Sequence, residues 1–262
     1  MVKAELVVAI VVVGLLGALP AWSDQDGPGQ SGGSGSLVIE AIEKANAGQP
    51  DAALKLFDRC LEAGNHSASV YLNRGRVLLA QGKIEAALKD IEHTVKIDPN
   101  LAPAYQTRGI LFRRLGNLNK ALQDFNKAIR LDPRDLHARM NRAWLYFDAG
   151  LEKKSLEDLD GILQKAPHLV QALGNRAYIR AQMGDYEGAI KDLQTIVDKD
   201  PQNVHAIKHL GFIFKKAGHA VTALKCYKVA AKLEKDPARL KQIDREIQDL
   251  ARKAKQNISA AR

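Results

Sequence analysis

The stretch Ala68–Leu101 reads ASVYLNRGRVLLAQGKIEAALKDIEHTVKIDPNL, and the next one, Ala102–Asp135, reads APAYQTRGILFRRLGNLNKALQDFNKAIRLDPRD. Laid over each other, the two keep a Tyr, an Arg-Gly pair, a second Gly, an Ala, an Asp before a large apolar residue, and an Asp-Pro. The same frame extends in both directions. Gly48, Gly82, Gly116, Gly150, Gly184 and Gly218 each stand 34 residues apart, so the chain holds six such repeats. Five residues after each glycine comes a small residue: Ala53, Ala87, Ala121, Ser155, Ala189 and Ala223. Four further on comes a large apolar one: Phe57, Ile91, Phe125, Leu159, Leu193 and Tyr227. Pro99, Pro133, Pro167 and Pro201 close four of the repeats at one phase.

Each repeat reads as two antiparallel helices. The glycine permits the tight turn after the first helix, the small residue lets the two helices approach, and the large residue fills the wedge between them. Proline then ends the second helix, because it lacks the N–H that a helix interior needs. Beyond the sixth repeat, Leu240, Ile243, Ile247 and Leu250 recur at spacings of three and four among charged residues. That spacing predicts an amphipathic helix over 238–256 that caps the apolar face of the last repeat, followed by a disordered tail over 257–262.

Composition narrows the class. Of 262 residues, 46% are hydrophobic, 26% charged and only 5% aromatic, the profile of a folded, helix-rich chain and not of a disordered or collagen-like one. Two cysteines exclude the disulfide framework of a small secreted scaffold, and no Cys/His set has the spacing of a metal site. The net charge of +9 is uneven: residues 204–262 hold 14 Lys and Arg against 5 Asp and Glu, while the rest of the chain balances.

At the N-terminus, Leu6–Leu19 is an uninterrupted apolar run, followed by Ala21-Trp22-Ser23. The run is short for a spanning helix, and the small residues suit a signal peptidase, so the layout predicts a secretory signal over 1–23. A membrane anchor over 6–22 is the alternative. Residues 24–36, DQDGPGQSGGSGS, read as a flexible tether. The expected location is outside the cytoplasm, periplasmic or secreted.

The repeat resembles the tetratricopeptide repeat (TPR) family over about residues 34–237. Counted from Ser34, Ala68, Ala102, Leu136, Val170 and Val204, the family's small residue at the eighth position is Ala41, Gly75, Gly109, Ala143, Ala177 and Gly211. Arg139 departs from the large apolar residue usual at the fourth position. The first repeat lacks the closing proline, and the sixth has its proline late, at Pro237. The resemblance implies an all-α, right-handed superhelical solenoid of six helix–turn–helix repeats, 34–67, 68–101, 102–135, 136–169, 170–203 and 204–237, with a C-terminal capping helix.

Two features of this chain stand out inside that frame. At the seventh position, where the family ordinarily has Leu, stand Arg74, Arg108, Arg142 and Arg176, and sixteen residues later stand Asp90, Asp124, Asp158 and Asp192. The first and sixth repeats lack both partners (Glu40 and Leu56; Leu210 and Cys226), which predicts a structural ion-pair ladder within a repeat or across to the next. The resemblance also implies that the first helix of each repeat lines a concave groove. Its sixth position holds Asn73, Asn141, Asn175 and His209, and its ninth holds Arg76, Trp144, Tyr178 and Phe212. Amides that both donate and accept, one helical turn from aromatic rings, suit an extended peptide, with packing of the rings against neighbouring helices as the competing reading.

The clamp by which some TPR proteins hold a peptide's C-terminal carboxylate does not carry over. Its lysine position is Leu72, Gln106, Met140 and Gly174, with only Lys208 matching in the last repeat. His205 and His209, four apart, lack a third metal ligand, and no phosphate-binding loop, nucleophile elbow or HExxH is present. The expected function is therefore a non-catalytic scaffold that binds a protein or peptide, with no cofactor and no metal. The alternative is electrostatic docking through the basic end, Lys208, Lys215, Lys216, Arg252, Lys253 and Lys255, on a membrane surface or anionic polymer, nucleic acid being the least fitting.

Overall fold

A computed structural model of the chain describes residues 34–260. The expected signal at 1–23, the tether up to residue 33 and the last two residues lie outside the described residues. Among these there are thirteen α-helices and no strand. They are α1 (Ser34–Asn46), α2 (Pro50–Glu62), α3 (Ala68–Ala80), α4 (Ile84–Ile97), α5 (Ala102–Arg114), α6 (Leu118–Leu131) and α7 (Leu136–Asp148). Then follow α8 (Glu152–Lys165), α9 (Val170–Gln182), α10 (Tyr186–Lys199), α11 (Val204–Lys216), α12 (Ala220–Leu233) and α13 (Pro237–Ala260). Ser34 to Ser36, read above as tether, form the first turn of α1, and α13 carries the helix past residue 256 to Ala260. The chain divides into two compact units, one ending at Leu145 and one beginning at Tyr146.

Local chemistry sets where each helix stops. Gly48, Gly82, Gly116, Gly150, Gly184 and Gly218 all have φ between 70° and 86°, a left-handed conformation that costs glycine nothing and other residues about 1–2 kcal/mol. At Gly82 the chain reverses by the two-bond arrangement of a left-handed cap: Gly82 N–H donates to Leu79 O and Lys83 N–H to Leu78 O. The second helices end two residues before each proline, because the residue ahead of proline is pushed out of the helical region. Asp98 and Asp132 sit there, extended, and each turns its carboxylate back on a backbone N–H two residues on, at 2.9 Å from Asn100 and 3.0 Å from Arg134.

In the first unit α1 packs on α2, α3 on α4 and α5 on α6, and each hairpin meets the next through α2–α3 and α4–α5. In the second, α9 pairs with α10 and α11 with α12, joined through α8–α9, α10–α11 and α12–α13. The small residues of the second helices, Ala53 through Ala223, are all fully buried, and the large residue that follows, Phe57 or Phe125 for example, is buried with them. The approach is closest where the first helix offers glycine. A Cβ at Gly109 would stand 2.7 Å from the Phe125 ring, and one at Gly75 would stand 2.8 Å from Ile91. In α13, Ile243 and Leu250 are buried against Tyr227 and Ala230, so this helix covers the last hairpin.

The arginines bind within their own hairpins and one hairpin back. Arg74 donates Nε and Nη2 to the two oxygens of Asp90, at 2.8 and 2.7 Å, and Nη1 to Asp58 of the preceding hairpin at 2.8 Å. Arg176 repeats this with Asp192, at 3.0 and 2.6 Å, and Asp160, at 2.6 Å. Arg108 grips Asp124 through both oxygens at 2.8 Å, and Arg142 reaches back to Asn126 Oδ1 at 2.7 Å. The backward acceptor lies sixteen residues before the arginine, as the forward one lies sixteen after. Asp90, Asp124 and Asp192 are buried, so losing either partner leaves a charge stranded, at a cost of about 3–5 kcal/mol.

Two glycine substitutions separate packing from helix propensity. Gly109→Ala is expected to destabilise by about 1–3 kcal/mol, since Phe125 has no room to move aside. Gly174→Ala, whose Cβ would meet nothing within 4 Å, is expected to stabilise by up to about 1 kcal/mol. Urea unfolding of the two variants beside the parent reads both; shifts of the same sign would contradict the close-approach account.

Candidate functional site

The sixth and ninth positions of a first helix lie one turn apart and share a face. Whether that face is free to bind depends on the neighbouring hairpin, and the two units differ. In the first, Asn73 is only 4% exposed and donates Nδ2 to Ser69 Oγ at 3.4 Å. Arg76 is 7% exposed and points Nε at Thr107 Oγ1 of α5, 3.4 Å away. Burial pushes the Arg76 guanidinium down to about 10, with Asp135 opposing the shift. Thr107 itself bonds back to Pro103 O at 2.8 Å. Of the two residues read from the sequence as ligand contacts, Arg76 is thus built into the packing between α3 and α5, and Asn73 is buried and bonded within α3. Asn141 and Trp144 on α7 remain half-buried.

In the second unit Tyr178 is 9% exposed, and its ring meets Phe147 edge-on at 5.8 Å and 76°. Burial, with Asp148 nearby, raises its phenol above the ordinary range. Packing therefore claims the middle ring of the expected aromatic stripe. Asn175 on α9 is half-buried, as are His209 and Phe212 on α11. Lys216 lays its ammonium 5.6 Å from the centre of the Phe212 ring. The positive charge of α11 comes from Lys208, Lys215 and Lys216 on a helix with no acidic residue, while burial lowers the pKa of His205 and His209 and so favours their neutral forms.

The basic end is less uniform than its sequence. Lys215 Nζ bonds Glu246 Oε2 at 2.6 Å, which ties α11 to the capping helix, and Arg252 pairs with Asp249 at 2.8 Å. Lys208 is half-buried, and burial lowers its pKa, with Glu234 opposing and Arg239 adding to the shift. Lys216 and Lys253 are exposed; the Lys255 side chain lies outside the described residues. Among the described residues, no three His, Cys, Asp or Glu side chains are grouped to hold a metal ion, and no helix is long and apolar enough to cross a membrane. Cys60 is buried and Cys226 half-buried, and neither is in a disulfide.

Sequence reasoning missed one polar cluster near Arg76. Asp135 accepts His137 N–H at 2.8 Å and lies 3.2 Å from its Nδ1, so the imidazole is held above its usual value. The pair sits at a repeat junction, and the adjacency of Asp and His two residues apart was its only trace.

Family sequence models described as tetratricopeptide repeat match residues 45–107, 77–146 and 171–203. Among solved structures, a tetratricopeptide repeat protein from Parabacteroides merdae is 20% identical with a TM-score of 0.68, covering 94% of this chain and 96% of that one. A thermophilic TPR protein of Thermus thermophilus is 19% identical at TM-score 0.61, covering 69% of this chain and 98% of that one. YrrB, a TPR protein with an unusual peptide-binding site, is 18% identical at TM-score 0.51 over 72% of this chain and 97% of its own. No curated protein matches the sequence. At such identities the likeness is one of fold.

The His209 imidazole gives the surface a pH signature. Burial first, then the charges of Lys208 and His205, depress it from 6.5 to about 4. A folded-state pKa below the unfolded one means the unfolded chain binds the proton first, so stability is fully present above pH 6.5 and is lost as pH falls towards 4. Thermal melts over that range are expected to show a smaller acid-side drop for His209→Gln than for the parent; parallel curves would contradict the assignment.

Proposed function

The chain belongs to the tetratricopeptide repeat family, and on that premise we propose that it is a non-catalytic scaffold outside the cytoplasm that binds an acidic segment of another protein. The family's fold supports protein–protein interaction as the general role. The finer reading rests on one observation: the half-open face of α11, where Phe212 stands beside Lys208 and Lys216, with His205 and His209 as neighbouring imidazoles and no acidic residue on the helix. An apolar ring flanked by two lysines favours a segment carrying an apolar side chain between carboxylates, since charge complementarity steers encounter and the ring supplies contact area. Asn175, and Asn141 with Trp144 in the first unit, offer further amide and aromatic contacts of the same kind. YrrB's peptide-binding site is a precedent for ligand binding on this fold, in another protein. Export is supported by the apolar run Leu6–Leu19 and the small residues Ala21 and Ser23.

Photo-crosslinking in the native host tests this. A crosslinking amino acid in place of Phe212 is expected to capture a partner, one in place of Trp144 to capture the same partner, and one at the exposed Lys191 of α10 to capture none. The crosslinker-bearing chain itself is expected to have a mass lacking residues 1–23. Capture from Lys191 alone, or none from Phe212 and Trp144, would overturn the binding surface; an intact N-terminus would overturn cleavage while leaving the surface standing.

A further inference from the structure

The outer side of α12 carries lysines and no carboxylate. No Asp or Glu occurs anywhere in Ala220–Leu233. Val221, Lys225, Lys228, Val229 and Lys232 are all exposed, and at about 100° per residue they fall within an arc of roughly 100°. Val221 is 72% exposed and Val229 47%. The opposite face is committed to the core: Ala223, Tyr227 and Ala230 are buried under α13. The nearest carboxylate in sequence, Glu234, is occupied, since one of its oxygens accepts the N–H groups of Lys235 and Asp236, each at 3.0 Å. A row of lysines with no acidic partner on its helix, interleaved with two bare valines, is thus presented to solvent.

The composition of this stripe selects its occupant. A protein partner is ordinarily anchored by aromatic or arginine side chains, and the stripe has neither. Single-stranded nucleic acid needs rings to stack on, which are also missing. Lysines are point charges that suit phosphate headgroups without a fixed geometry, and small apolar side chains between them suit the boundary of headgroup and acyl chain. We propose that the α12 stripe docks on an anionic lipid surface, with Lys225, Lys228 and Lys232 against the headgroup phosphates and Val221 and Val229 entering the interface. This surface is separate from the α11 face, so the two can be occupied together.

The test uses the full chain with Cys226→Ser and Val229→Cys, labelled at residue 229 with an environment-sensitive fluorophore; Cys60 is fully buried. A probe there reports contact of α12 and not any insertion of residues 6–19. The emission is expected to shift to the blue with vesicles of phosphatidylcholine mixed with phosphatidylglycerol, not with phosphatidylcholine alone, and to return at high salt. At roughly fivefold in affinity per lysine, Lys225→Glu, Lys228→Glu and Lys232→Glu together are expected to weaken vesicle binding by about 100-fold or more, with an unchanged circular dichroism spectrum. The lipid and salt comparisons use the unreversed chain alone, so a misfolded triple variant leaves them decisive. An equal shift on neutral vesicles, no shift on anionic ones, or a shift with single-stranded DNA or polyglutamate but not with vesicles would overturn the proposal.

Discussion

A guanidinium held by both oxygens of a buried carboxylate, sixteen residues away on the partner helix, is the contact on which three hairpins of this protein, those of Arg74, Arg108 and Arg176, depend. In Arg74 and Arg176 the same group also reaches a carboxylate on the preceding hairpin, so one side chain spans three helices. Arginine can do this because its five donors lie in one plane, two facing forward in a fork and one turned back. Arg180 adds a further donor to Asp192 at 2.9 Å, so that carboxylate serves two arginines. The contact fixes direction more than it adds stability. Apolar packing alone, through alanine and glycine on one helix and a large side chain on the other, would tolerate small slides that a bidentate pair does not.

Once the seventh position is committed to the ladder and the eighth to close approach, only the neighbouring sixth and ninth are left to vary. The first unit spends them on architecture: Asn73 on its own helix, Arg76 against Thr107. The second leaves more of them open on α11, and sets Lys208 and Lys216 beside them. The difference follows from position in the chain. A middle repeat has a following hairpin to receive its side chains, while the last one meets α13, which shares an apolar cluster with α11 and adds the Lys215–Glu246 ion pair. Half-open side chains flanked by lysines thus gather towards the end of the array, the same end on which α12 presents its lysine stripe.

The periodic part of this structure was legible because each marker has a local physical cause. Gly82 or Gly116 is needed for one backbone angle, Ala121 for one approach, and Pro133 for one helix end, so each could be read without knowing what surrounds it. The forward ion pairs were legible from the matched presence of Arg and Asp. The backward acceptors, Asp58, Asn126 and Asp160, show the same sixteen-residue spacing but vary in type, and so gave no ladder to the eye. Exposure at the ninth position was not legible. Tyr178 and Phe212 have the same register and similar chemistry, yet one is sealed by Phe147 and the other is not, because the covering side chain comes from a different hairpin.

The most direct test of the account is a double-mutant cycle on Arg108 and Asp124, whose contact is bidentate at 2.8 Å on both sides. Arg108→Met, Asp124→Leu and the pair together would be compared by hydrogen exchange of the α5 and α6 amides, which reads local opening where a repeat protein need not unfold in one step. The account predicts about 3 kcal/mol or more lost by each single variant, and much of that loss recovered in the double, where no charge is stranded. Small single effects that simply add would show that packing alone holds the hairpin and that the ladder is incidental.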